Sequence, residues 1–68
     1  MSEGELVLDD EARRRLRHDL RTPLTIVAGF AEVLAGERPI SDQDRREFAA
    51  RIQTAAGEIR RLIDAALE

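Results

Sequence analysis

The chain contains one histidine, His18. Asp19 follows it directly, the hydroxyl of Thr22 comes four residues on, and Pro23 comes next. Near pH 7 a free imidazole is partly neutral, with one ring nitrogen available to attack an electrophile. A carboxylate that takes up the proton on the other nitrogen strengthens that nucleophile. A hydroxyl one turn away can orient a water. These are the parts of a covalent group-transfer centre, provided that the ring meets solvent. Leu16, Leu20 and Leu24 recur every four residues, the spacing of one helix face. At about 100° per residue His18 falls nearly opposite that stripe, and Thr22 sits one turn along on the histidine's side.

The helix that carries these residues is predicted over about 10–35. Asp9 or Asp10 caps it and Glu11 adds negative charge at its positive end. Its buried face is expected to carry Leu16, Leu20, Leu24, Val27, Ala31 and Leu34, with Pro23 and Phe30 at the edge. Gly36 is expected to end it in a left-handed cap, and Pro39 prevents its continuation. Pro23 inside the helix removes the partner of the Asp19 carbonyl, which predicts a bend beside His18 at a cost of about 3 kcal/mol in a generic helix interior.

A short loop, 36–41, leads to a second helix over about 42–67, with Ser41 and Asp44 approximating a capping box. Phe48, Ile52, Ala55, Ile59, Leu62 and Ala66 form its apolar stripe, widened by Ala49, Ala56 and Ile63. Ala55 and Ala56 would permit a close approach of helices. Gly57 is expected on the outer side. A short connection favours antiparallel neighbours. The fold class is therefore all-α, an antiparallel two-helix hairpin. One face of each helix stays uncovered in a single hairpin, so two copies are expected to form a four-helix bundle about a two-fold axis.

The run His18-Asp19-Leu20-Arg21-Thr22-Pro23-Leu24 resembles the H-box of sensor histidine kinases at every position. Ile26, Gly29, Glu32 and Leu34 also fall where that family's first helix has similar residues. The resemblance spans roughly Asp10 to Leu67, sharp in the first half and resting on helical patterning in the second. It implies a dimerisation and phosphoacceptor domain over 9–68. His18 would accept the γ-phosphoryl of ATP on Nε2 and pass it to an aspartate of a response-regulator receiver. It implies that Asp19 is the general base and that Thr22 assists dephosphorylation. Pro23 is then the bend that serves the site. Arg21, Ile26 and Val33 are candidate contacts to the receiver, Arg21 through its charge and the other two as exposed β-branched residues beside the histidine.

Composition bounds the alternatives. Sixty-eight residues make one small domain, hard to stabilise alone, which again favours association. There is no cysteine, so no disulfide framework exists, and a lone histidine makes a metal site unexpected. The net charge of −3 opposes a nucleic-acid role, although Arg13, Arg14, Arg15 and Arg17 form a basic run. No apolar stretch is long enough to span a bilayer and no secretory signal is visible, so a cytoplasmic domain without direct membrane contact is expected, its parent protein membrane-anchored or not. Residues 1–8 are expected to be a flexible connector.

Neither a glycine-rich phosphate loop nor an asparagine-rich nucleotide site occurs. ATP and Mg²⁺ are therefore expected to arrive on a separate catalytic domain or, for Mg²⁺, with the receiver. The chain is expected to bind no cofactor and to be inactive as a kinase alone. The competing readings are a helical dimerisation module that only transmits motion between flanking domains, and a basic-helix nucleic-acid binder.

Overall fold

In a computed structural model, which describes residues 9–68, the chain forms two helices and, among the described residues, no strand. Helix α1 runs Asp10–Ala35 and α2 runs Asp42–Ala66. They pack against each other along their length as a hairpin. The connector expected at residues 1–8 lies outside the described residues.

Local chemistry explains both helix starts. The Asp9 carboxylate accepts the Ala12 N–H at 2.6 Å, and Asp10 and Glu11 add negative charge to the first turn. The Ser41 hydroxyl accepts the Asp44 N–H at 3.0 Å, and Asp42 pairs with Arg45 at 2.8 Å. That ion pair is exposed and adds little. The end of α1 differs from expectation. Gly36 is extended (φ −74°, ψ 174°) rather than left-handed, and its N–H donates to the Val33 carbonyl at 3.2 Å. A three-residue return bond closes the last turn, so positive φ is not needed. Pro39, in the loop before α2, adds stiffness to the connection.

The seam between the helices is half-buried Ala12, Leu16, Leu20, Val27, Phe30 and Leu34 from α1, against Phe48, Ile52, Ile59, Leu62 and Ala66 from α2. Two residues are fully enclosed: Pro23, below 2 % exposed, and Ala55, at 4 %. The stripe on α2 is the expected one. On α1 the contact is rotated. Pro23 and Phe30, expected at the edge, lie at its centre, whereas Leu24 and Ala31, expected in the core, are exposed, Leu24 by 51 %. The apolar arc of α1 is wider than one neighbouring helix can cover, and α2 settles over the side that bears the proline ring and Phe30.

Phe30 and Phe48 account for that choice near the loop. They are the chain's two aromatic residues, and their rings stack with centroids 5.1 Å apart at 28°. Such a pair adds about 0.5–1.5 kcal/mol beyond its buried area. Ala55, with a single methyl group, lets α2 come close in the middle. Ala56, expected to share that role, is exposed.

The hairpin therefore has two unlike flanks. One carries concavities bordered by Asp19, Ile26, Thr54 and Glu58. By helical position the other carries exposed Leu24, Ala31, Ala49, Ala56, Ile63 and Leu67. No helix is long and apolar enough to cross a membrane among the described residues.

Candidate functional site

His18 projects from the middle of α1's first half, on the side away from α2, and its side chain is 84 % exposed. The seam residues Leu16, Leu20 and Pro23 hold the opposite face of the same two turns against α2, which is what turns the ring outward. Asp19 stands about 100° further round the helix, yet its Oδ1 reaches to 3.4 Å from the ring's Nδ1. That distance is at the long end of a hydrogen bond. When Nδ1 carries the proton, this contact is a hydrogen bond to the carboxylate and the lone pair is on Nε2, which faces away from Asp19 across the ring.

Thr22 is exposed, one turn beyond His18. His18, Asp19, Thr22, Pro23, Glu58 and Leu62 together border a concavity of about 290 Å³. The structure thus brings four of the expected site residues to one place and adds an α2 residue, Glu58, that sequence spacing on α1 had no means of finding. Pro23 contributes from beneath. Its ring is the floor between the helices, and the absence of its N–H leaves the Asp19 carbonyl without the usual helical donor. The helix nonetheless continues through it without a break. Two residues further on, the Thr25 hydroxyl donates to the Arg21 carbonyl at 2.8 Å, a back-bond that spans the proline.

Below the histidine the same flank continues as a groove of about 420 Å³ bordered by Ile26, Ala50, Arg51, Thr54 and Glu58. Ile26 and Val33 are both exposed and border a further small hollow with Gly29 and Phe30. They follow His18 along one side of α1. Arg21 is exposed on the opposite side of the histidine from this groove.

No group of three or more acidic, histidine or cysteine residues able to hold a metal ion is present among the described residues. The arrangement offers one outward nucleophile, one carboxylate that can hold a proton, and one hydroxyl. Chemically it can receive and release a group that another surface presents.

Comparison with curated proteins and with solved structures gives no match. A family model, the His Kinase A (phospho-acceptor) domain, matches residues 10–68.

Proposed function

The chain belongs to the His Kinase A phospho-acceptor family and is a phosphoacceptor and dimerisation module of the histidine-kinase type; on that premise we propose that His18 is the residue phosphorylated. An ATP-bearing catalytic domain delivers the γ-phosphoryl: a bond forms from Nε2 to phosphorus, and the bond to the β-phosphate oxygen breaks as ADP leaves. Asp19 holds the Nδ1 proton and offsets the positive charge that develops on the ring. The phosphoryl then passes to an aspartate of a docked receiver. ATP and Mg²⁺ come with those partner domains. Thr22, one turn from the ring, orients water when a phosphorylated receiver is docked and so assists dephosphorylation.

The observation that carries this reading is the pairing of an imidazole that is 84 % exposed with a carboxylate at its Nδ1. A transferring group must be reached in turn by two large partners, and only a ring that stands clear of the bundle allows this. Arg21, Ile26 and Val33 belong to the surface those partners meet. A second copy of the chain covers the flank with Leu24, Ala31 and Ile63, where apolar side chains otherwise face water.

The test supplies the parent kinase's ATP-binding domain with Mg-ATP and follows the phosphate on the chain. The expected product is acid-labile and base-stable, and absent from His18→Gln. Equal labelling of that variant would remove His18 from the role.

A further inference from the structure

His18 stands between two unlike sets of charges. On the groove side lie Asp19, at 3.4 Å from its ring, Glu58, which borders the same concavity, and Arg15, which borders a neighbouring hollow with Asp19 and is paired with Glu11. On the other side, Arg14 and Arg21 are four residues before and three after the histidine. At about 100° per residue both fall within ~60° of it on the helix surface. Those spacings place side chains next to one another on a helix. The leftover cations of this stretch are also sorted. Arg15 is engaged by Glu11 at 3.5 Å, whereas the Arg14 and Arg21 side chains have no hydrogen-bond or ion-pair partner among the described residues. Arg14 shares a shallow hollow with Asp10, Arg13 and Arg17 on that same side.

We propose that the phosphoryl group on His18 rests against the guanidinium groups of Arg14 and Arg21, turned away from the groove that holds Asp19 and Glu58. This rests on His18 being the phosphorylated residue. A phosphoryl on nitrogen is close to a dianion and strong in acceptor oxygens, the partner that a guanidinium fork suits best. Asp19 and Glu58 repel it from the groove. Helical side chains lean toward the N-terminus, which carries the imidazole back over the turn of Arg14 and carries Arg21 back over the imidazole. Arg14 and Arg21 therefore act as positioning residues that hold the modified ring. A receiver seated in the groove has to bring its own cation to draw the group across.

The test needs no kinase. Phosphoramidate phosphorylates an accessible imidazole directly: Nε2 bonds to phosphorus, the P–N bond of the zwitterionic donor breaks, and neutral ammonia leaves. The phosphorus resonance of the product is then titrated in the chain and in Arg14→Gln, Arg21→Gln, Glu58→Gln and, as a distant control, Arg46→Gln. Protons on the ring's Nδ1 and on the phosphoryl oxygens both bear on this midpoint; a nearby cation opposes either and lowers it, so its removal raises it. One unit charge at ~5 Å in water corresponds to roughly half a pH unit. Arg14→Gln and Arg21→Gln should each raise the midpoint by about that amount, with the shift fading in 1 M salt. Arg14→Lys should keep most of the effect, and Arg46→Gln should change nothing. A helix-stabilising role alone would not move this midpoint.

Unmoved midpoints in both arginine variants would overturn the proposal. So would a drop in Glu58→Gln that exceeds the rise in Arg14→Gln, since the phosphoryl would then lie in the groove. Either result leaves His18 as phosphoacceptor untouched. Labelling of His18→Gln equal to that of the unaltered chain would sink both readings together.

Discussion

Nδ1 of His18 and Oδ1 of Asp19 lie 3.4 Å apart although their side chains leave the helix about 100° from each other. The contact is loose. On the proposed role of His18, positive charge would develop on the ring as Nε2 bonds to phosphorus and would draw the carboxylate in. An amide at position 19 keeps the shape and loses that charge. Asp19→Asn is therefore expected to lower the rate of phosphoryl transfer from the ATP-bearing domain by about 10²-fold or more, the low end of general-base contributions. Initial rates with matched circular dichroism spectra decide it. A rate within a factor of three of the original would mean that Asp19 is an ordinary surface acid.

The exposed flank of the hairpin leads to a second expectation. Leu24 is 51 % exposed and shares its flank with Ala31, Ile63 and Leu67. If a second copy covers that flank, Leu24→Glu places a carboxylate without a partner in the contact, once from each copy. Burying such groups costs several kcal/mol, so dimerisation should weaken by on the order of 10³-fold. Sedimentation equilibrium should show a dimer for the unaltered chain and a monomer for the variant. A monomer in both would leave the apolar flank without the occupant proposed for it.

The hairpin itself was legible in the sequence because its cues are local. Asp9 and Ser41 sit where helix starts need acceptors, and α2's apolar residues leave one phase open. The phase of α1 was not legible, since Leu16, Leu20, Leu24, Val27, Pro23 and Phe30 spread over more of the helix than one neighbour covers. Periodicity alone favoured the leucines. The stacking of Phe30 on Phe48 and the fit of the Pro23 ring against α2 are contacts between helices, and no window on one helix contains them. Gly36 departs from the expected left-handed cap for a related reason. Glycine permits positive φ but does not require it, and the chain here turns in an extended conformation. The residues around His18 that are contiguous in sequence fall side by side by helix spacing alone, whereas Glu58 joins their concavity only when α2 is laid beside them.

Gly57 supplies a third expectation, this one about stability. It lies inside α2, half-buried by its neighbours. A methyl group there would meet only the end of the Arg61 side chain, at an ordinary 3.7 Å. Nothing in the hairpin requires the missing side chain. Gly57→Ala should therefore stabilise the fold by about 0.5–1 kcal/mol, through helix propensity and a less disordered unfolded chain. Thermal unfolding at fixed protein concentration measures it. A loss of stability would indicate that another surface packs closely at Gly57, a second copy being the first to examine.

Pro23 sets two effects against each other, and their sizes give the direction of change. As a helix-interior residue it costs about 3 kcal/mol relative to alanine, because the Asp19 carbonyl lacks its donor and the ring crowds it. As the most enclosed side chain in the hairpin, it contributes packing. Trimming the ring to a methyl removes two methylenes at about 0.8 kcal/mol each, with a small cavity besides. The helix effect is the larger, so Pro23→Ala should stabilise the hairpin by about 1 kcal/mol in thermal or denaturant unfolding. Phosphoryl transfer to His18 should nonetheless slow several-fold, because the freed carbonyl and the crowded turn beneath the ring set how Asp19 and Thr22 are presented. A variant that is more stable and slower separates the proline's part in the site from its part in the core. A variant that is less stable and equally fast would show that the ring serves packing alone.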